Sequence, residues 1–247
     1  MPKTVHNPLE GERPELEINL HNGSEDQISI IVIHRNQPEY LNICLQSIAV
    51  TSMNNNYELI VVDNNSGQET QDFLDEIQGE IKVVRNKENL YWAPAANKGV
   101  EVADKNSKYY IFLHSDVVIT NPAWIDLMIN VSHSTNAGLI GIELQSYFMQ
   151  NQKIDFITEW CMMVTKECWQ DVGPFEERLP QIGAPFVFSV EATNKGYGPQ
   201  IMRNPICHHY RAFGLNINEY ERLTEAAMAM IPQVVREIQS NPLNRKK

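Results

Sequence analysis

The sequence predicts an α/β fold in which a mostly parallel central sheet carries helices on both of its faces. Apolar runs rich in β-branched residues alternate along the chain with segments whose apolar residues recur at helical spacing. Polar turn residues separate these segments, which is typical of successive βαβ units. At 247 residues, the chain suits one large domain of this class or two small ones.

The first half of the chain is the more regular. Buried strands are predicted at residues 28–33, 58–63, 81–84, 109–113 and 138–142. Helices are predicted between them, at residues 38–48, 69–77, 95–103 and 124–131. In open parallel sheets, ligands bind beyond the carboxyl ends of the strands. Asp63 and Asp116 each follow a buried strand, so we expect both carboxylates at this edge.

The second half predicts fewer regular elements. Residues 156–169 are predicted as a strand entering a helix, residues 186–195 as a helix, and residues 217–240 as helical stretches interrupted or kinked at Pro232. We therefore expect a flexible arm at 1–26, one domain at 27–214, and a C-terminal helical segment at 215–247 packed on that domain or extending from it. The apolar face of this segment is typical of core packing or of a homodimer contact.

Composition narrows the classes of function. A net charge of −11 and a pI near 5.1 argue against non-specific nucleic-acid binding, which needs clustered Lys and Arg. An anionic ligand would have to be held locally by a metal, a helix N-terminus or a few basic side chains. The four cysteines show no CxxC spacing, which disfavours a zinc site. Because no secretion signal is predicted, we expect reduced thiols in a cytoplasmic protein. No apolar run reaches the length needed to cross a bilayer, so no transmembrane segment is predicted.

Five stretches match a known pattern in order and spacing. They lie at residues 30–36 (IIVIHRN), 61–66 (VVDNNS), 89–99 (NLYWAPAANKG), 112–116 (FLHSD) and 171–177 (DVGPFEE). Over residues 28–213 the chain resembles the family 2 glycosyltransferases, particularly their rhamnosyltransferase-like branch. The resemblance implies a GT-A fold, a nucleotide-diphosphate sugar donor, a divalent cation, and an enzyme that transfers a sugar to a glycan, lipid or protein acceptor. It also indicates a role in polysaccharide biosynthesis.

The same resemblance assigns a donor site. Asp63 would accept hydrogen bonds from a nucleobase, and Asn97 would lie near the ribose and the donor sugar. The alternatives are that Asp63 caps the following turn and that Asn97 makes only local backbone hydrogen bonds. Trp92 would either wall the donor pocket or pack the loop. The residues assigned to nucleotide and donor binding are His34, Arg35, Asp63, Asn64, Trp92, Asn97 and Ser115.

A metal site is implied around the family's Asp-x-Asp motif. Asp116 matches the last residue of that motif, and His114 replaces its first acidic residue. The resemblance also implies a histidine near the metal at residues 207–210, and His209 is the third candidate ligand. In an extended segment Cys207 and His209 would point to one side and His208 to the other. The alternatives are a strand-end aspartate in a turn and a structural histidine. Histidine ligands suit Mn²⁺ better than Mg²⁺, so Mn²⁺ is favoured.

One expected catalytic carboxylate is missing. The family's Glu-Asp-x-Asp segment, whose aspartate is the general base, falls on residues 184–187, which read Ala-Pro-Phe-Val. Three interpretations stay open: another carboxylate serves, with Glu191 preferred over Glu176 and Glu177; the register is shifted by an irregular loop; or the chain is a degenerate protein that binds a nucleotide sugar or glycan. A nucleotidyltransferase is disfavoured, because residues 33–38 contain no glycine-rich phosphate loop.

Overall fold

The computed structural model describes residues 26–77, 79–149, 152–203, 205–211 and 217–240. The predicted arm at 1–26 therefore lies outside the described residues, apart from Asp26. The predicted boundary between residues 214 and 215 also lies outside them. The division into a domain and a C-terminal segment thus stays a prediction.

Strands in the described part of the chain form one large sheet and two small ones. They are β1 Ile28–His34, β2 Tyr57–Asp63, β3 Ile81–Arg85, β4 Tyr109–His114, β5 Val117–Ile119, β6 Leu139–Gly141, β7 Leu144–Met149, β8 Gln152–Ile157, β9 Cys161–Thr165, β10 Pro199–Ile201 and β11 Cys207–His209. The seven-stranded sheet has the order β10-β6-β9-β4-β1-β2-β3. Only β9 runs antiparallel within it, to both β4 and β6. The two small sheets are the pairs β5–β11 and β7–β8.

Helices cover both faces of the large sheet, which confirms the predicted α/β class. They are α1 Pro38–Thr51, α2 Gln68–Glu76, α3 Trp92–Glu101, α4 Trp124–Thr135, α5 Lys166–Val172, α6 Ala184–Asn194 and α7 Ile217–Ser240. The alternation of strand side chains divides the core in two. In β1, Ile31 and Ile33 pack with α3, α5, α6 and α7, whereas Ile30 and Val32 pack with α1, α2 and α4.

Helix α3 begins three residues earlier than the predicted residue 95. Tyr91 adopts a positive φ of 63°, which turns the chain directly into the helix. The Ala93 N–H then donates to the Pro180 carbonyl at 2.7 Å. Pro94 falls in the first turn, where its missing N–H costs no helical hydrogen bond. A local sequence pattern does not reveal the contact with Pro180, which explains the earlier start.

One part of the prediction for residues 156–169 is wrong. The predicted strand is not continuous, because residues 158–160 separate β8 from β9. β8 ends before this break and pairs with β7 in a separate hairpin, while β9 enters the large sheet. Long-range hydrogen bonds hold the break: Thr158 N–H donates to the Glu143 carbonyl at 3.1 Å, and His114 N–H donates to the Trp160 carbonyl at 3.0 Å. The break brings residues 158–160 to the carboxyl edge of the sheet.

Helix α7 continues through Pro232, so the interruption predicted there is absent, while the alternative of a kink stays a prediction. Ile231 and Val234 on either side of the proline are buried in the same core as α6, and this packing offsets the lost backbone hydrogen bond. Its apolar face therefore supplies core contacts. Across the described ranges, no helix combines the length and the apolar character required to span a bilayer.

Candidate active site

A cavity of about 560 Å³ lies at the carboxyl edge of the sheet. Its walls come from the ends of β1 and β4, the β7–β8 hairpin, the first turn of α6, and α7. Eight of the site residues predicted from the sequence line it: His34, Arg35, Asn64, Trp92, His114, Ser115, Asp116 and His209. Three do not line it: Asp63, Asn97 and Glu191.

His114, Asp116 and His209 form a cluster in the cavity. Each offers one ligand atom within 4.8 Å of the others, and His209 Nε2 lies 3.2 Å from Asp116 Oδ1. The cluster depends on strand pairing, because β11 lies antiparallel to β5 with His209 opposite Val117. Burial lowers the pKa of His114 to about 4, so this imidazole is neutral at physiological pH and has a lone pair to offer a metal. Two imidazoles and a carboxylate are groups that could hold a divalent cation.

The surroundings of His209 differ from those of its sequence neighbour His208. His208 is exposed and its ring contacts Tyr210 edge-on, whereas the His209 ring stacks on Trp160 with centroids 4.8 Å apart. Trp160 Nε1 in turn donates to Glu143 Oε2 at 2.7 Å. Such outer contacts fix the orientation of a ligating histidine. Trp160 is therefore a supporting residue of the cluster that the sequence analysis missed.

The ends of β1 and β2 supply a further part of the cavity lining, including His34 and Asn64. His34 Nδ1 and Ser115 Oγ share a hydrogen bond of 2.9 Å, and the Asn64 side-chain amide donates to the Tyr91 carbonyl at 2.9 Å. Two buried polar atoms here, His34 Nε2 and Trp92 Nε1, have no hydrogen-bond partner among the described residues. Buried polar groups usually have partners, so these two atoms are suited to bind a ligand.

Asp63 and Asn97 do not line the cavity, and both side chains are hydrogen-bonded to other parts of the protein. Asp63 is fully buried, and its carboxylate accepts hydrogen bonds from the Ser66 N–H and hydroxyl and from Gln71 Nε2, the last at 2.6 Å. Asn97 holds the chain at Phe175, accepting from its N–H at 2.9 Å and donating to its carbonyl at 3.0 Å. Their donor-binding roles stay predictions. For Asp63, that role requires the Ser66 and Gln71 hydrogen bonds to rearrange.

The first turn of α6 faces the cavity without a carboxylate. Pro185 lines the cavity, and the helix starts directly after Gly183, whose φ of 96° turns the chain at this point. The alignment of residues 184–187 with the family's Glu-Asp-x-Asp segment stays a prediction. Glu191, the predicted base, lies about two turns further along α6 and does not line the cavity.

The two upstream alternatives to Glu191 are engaged elsewhere. Glu176 pairs with Arg178 at 2.9 Å, and Glu177 accepts a hydrogen bond from the Asn97 side chain at 2.9 Å. Besides Asp116, the carboxylates that line the cavity within the described residues are Glu143 and Glu159. Sequence reasoning missed both of them. One signal was present, because an acidic residue at 159 interrupts the apolar residues of a segment predicted to begin as a strand.

Acidification is expected to destabilise the protein partly through His34. Burial lowers the pKa of His34 from 6.5 to about 4, against a smaller opposing effect of Asp63. Between these pH values the unfolded chain binds a proton that the folded chain excludes, so stability falls as pH falls, by roughly 3 kcal/mol for this residue. Urea unfolding from pH 7 to pH 4 should show a shallower pH slope for His34→Gln than for the wild type.

His208→Gln is the matched control for this experiment, since His208 is exposed. Its slope should equal that of the wild type. In His34→Gln the free energy of unfolding should still fall as the pH falls, because burial also lowers the pKa of His114. A slope unchanged in His34→Gln would contradict the assignment of a neutral, buried imidazole at this position.

A cavity with a cluster of candidate metal ligands at the carboxyl edge of a mostly parallel sheet is typical of an enzyme that handles a small polar substrate. The family model "Glycosyl transferase family 2" matches residues 29–193 of the 247-residue chain. The chain therefore belongs to glycosyl transferase family 2.

Individual proteins that match this chain have low sequence identity to it and match less than half of its length. An uncharacterized protein y4gI of Sinorhizobium fredii is 27% identical over 121 residues, which cover 47% of this chain and 13% of that protein. The O-antigen biosynthesis protein RfbC of Myxococcus xanthus is 24% identical over 119 residues, which cover 48% of this chain and 9% of that protein. The matched segment thus spans a small part of both curated relatives.

The fold is shared with solved glycosyltransferases. The mannosyltransferase PcManGT from Pyrobaculum calidifontis, solved with GDP-Man and Mn²⁺, superposes with a TM-score of 0.60 at 12% identity. The match covers 88% of this chain and 75% of that protein. This likeness confirms the predicted GT-A fold.

Proposed function

We propose that this protein is a glycosyltransferase that moves a sugar from a nucleotide-diphosphate donor to a hydroxyl group of a glycan, lipid or protein acceptor, with the help of a divalent cation. The observation that carries the proposal is the cluster of His114, Asp116 and His209 inside the cavity at the carboxyl edge of the sheet. Membership of glycosyl transferase family 2 supports the same reaction class.

The cluster fits a divalent cation. Its two imidazoles and one carboxylate are the donor set from which Mn²⁺ is favoured over Mg²⁺. A cation held by His114, Asp116 and His209 would neutralise the charge that develops on the leaving diphosphate. In a chain with a net charge of −11, such a local positive charge is needed to hold an anionic substrate. Arg35 and Arg211 line the same cavity and add to it.

The nucleoside part of the donor is assigned to the side of the cavity formed by β1 and the start of α3. His34, Asn64, Trp92 and Ser115 line that side. The unpartnered His34 Nε2 and Trp92 Nε1 atoms would hydrogen-bond to the base or the ribose. These side chains bind and orient the donor, and their burial excludes water from its phosphates.

The alternative is a degenerate protein that binds the nucleotide sugar without transferring it. The specific observation in its favour is the first turn of α6, where Pro185 faces the cavity and cannot accept a proton. The donor site would be the same in both cases, so binding alone does not distinguish them. Release of the nucleoside diphosphate from a bound nucleotide sugar does.

Calorimetric titration of the purified protein with UDP, GDP, dTDP and CMP, with and without Mn²⁺, tests the proposal. We expect one nucleoside diphosphate to bind only with the cation present, and the matching nucleotide sugar to be cleaved. Binding without cleavage would favour the degenerate alternative. A wild-type protein that binds no nucleotide in any condition would refute both. The acceptor, a rhamnosyltransferase-like specificity, a role in polysaccharide assembly and a cytoplasmic location stay predictions.

A further inference from the structure

Transfer to a hydroxyl group needs a proton acceptor beside the attacking oxygen, because a neutral hydroxyl is a weak nucleophile. In this cavity the first turn of α6 cannot supply one. The candidates are therefore the carboxylates that line the cavity within the described residues: Asp116, Glu143 and Glu159. Their surroundings differ enough to separate them.

Two of the three carboxylates already have other partners. Asp116 belongs to the metal cluster, with Oδ1 at 3.2 Å from His209 Nε2. Glu143 uses both oxygens, with Oε2 accepting from Trp160 Nε1 at 2.7 Å and Oε1 accepting from Gln145 Nε2 at 3.2 Å. Proton transfer to Glu143 would have to displace one of these two side-chain donors.

The position of Glu159 is set by backbone hydrogen bonds of the adjacent residues Thr158 and Trp160. It lies in the break between β8 and β9, and the backbone on each side is tied down by the hydrogen bonds Thr158–Glu143 and His114–Trp160. The next residue, Trp160, stacks on His209 of the metal cluster. Glu159 is thus presented to the cavity at a fixed position beside the proposed site of the diphosphate.

Within the described residues, the Glu159 carboxylate accepts a hydrogen bond from its own backbone N–H and from no other donor. Burial raises the pKa of Glu159, with smaller opposing effects of that hydrogen bond and of His209. A raised pKa makes a carboxylate a stronger proton acceptor once it is ionised. This environment is what distinguishes Glu159 from Glu143.

We propose that Glu159 is the general base of this enzyme and takes over the role that residues 184–187 cannot perform. The inference rests on the proposed function. The acceptor O–H proton moves to a Glu159 carboxylate oxygen as the acceptor oxygen forms a bond to the anomeric carbon of the donor sugar. The bond from that carbon to the diphosphate breaks, its electron pair leaves with the diphosphate, and Glu159 afterwards returns the proton to solvent.

Glu159→Gln and Glu191→Gln test the inference together, because both remove one carboxylate and only the first removes one from the cavity. UDP-GlcNAc and GDP-mannose are the probe donors, with Mn²⁺ present and water as the acceptor. Calorimetry measures donor affinity, and release of nucleoside diphosphate measures turnover. Circular dichroism and thermal unfolding check that both variants are folded.

Glu159→Gln should lower turnover by about 10²–10⁴-fold and change donor affinity by less than about threefold. Glu191→Gln should match the wild type in both measurements. Azide is an anionic nucleophile with no proton to lose, so it should restore donor cleavage by Glu159→Gln, with a glycosyl azide as the product. A residue with a merely structural role would show no such rescue.

Three results would overturn the inference: turnover retained by Glu159→Gln, turnover lost in Glu191→Gln instead, or donor affinity and turnover lost together in Glu159→Gln without rescue by azide. A wild-type protein that binds the donor but does not cleave it would also overturn the inference, since a base would then have no reaction to serve. Failure of the wild type to bind any nucleotide is a different result and counts against the proposed function itself.

Discussion

Replacement of Asp116 by asparagine is expected to weaken Mn²⁺-dependent nucleotide binding by at least about 100-fold, the upper range seen when only a supporting residue of a metal site is changed. The amide keeps the size of the side chain but removes the only carboxylate of the His114–Asp116–His209 cluster. Two neutral imidazoles alone would not balance the charge of a divalent cation. Calorimetry with the nucleoside diphosphate, with and without Mn²⁺, measures the loss.

Asp72→Asn is the matched control, because it makes the same chemical change on the exposed face of α2, where Asp72 accepts a hydrogen bond from Gln68 at 2.7 Å. This variant should bind nucleotide like the wild type. Thermal unfolding should show that Asp116→Asn remains folded. Wild-type affinity of Asp116→Asn in Mn²⁺ would show that the cluster holds no cation and would remove the main support for the proposed function.

Phe112→Ala is expected to lower the free energy of unfolding by about 3–5 kcal/mol, the range for deleting a buried aromatic side chain. Phe112 is fully buried, and its ring centroid lies 6.0 Å from that of Trp92, 5.9 Å from Trp169 and 5.2 Å from Phe175. Several of these neighbours are large rings packed against one another, so they cannot easily fill the space that the phenyl group leaves. Urea unfolding gives the change directly.

Phe148→Ala provides the comparison for Phe112→Ala, since the same atoms are removed from a side chain that is 68% exposed on β7. Its effect should stay within about 0.5 kcal/mol. Equal losses in the two variants would contradict the burial of Phe112 at the centre of the aromatic cluster. Because Phe112 stands two residues before His114 on β4, the Phe112→Ala variant should also bind Mn²⁺ more weakly.

The sequence by itself determined the α/β class, with a mostly parallel central sheet, and the edge of the sheet at which the site lies. β-branched runs predict strands buried on both faces, and in parallel strands the carboxyl ends meet at one edge, so the placement of His34, His114 and Asp116 follows from local pattern and strand direction. The lack of a carboxylate over residues 184–187 is also a fact of sequence, and the start of α6 after Gly183 makes it a property of the cavity.

Tertiary structure decided which side chains reach the cavity. Asp63 follows a strand at the expected edge, yet Ser66 and Gln71 occupy its oxygens. His209 joins the cluster and His208 does not, because the pairing of β11 with β5 sets which of them faces Asp116. Glu159 lines the cavity because hydrogen bonds with Glu143 and His114 hold an interruption between β8 and β9. The sequence pattern predicts a continuous strand there. The pattern of apolar residues predicts where a strand runs. Which neighbours its side chains contact, and where the strand is interrupted, depend on partners far away in the sequence.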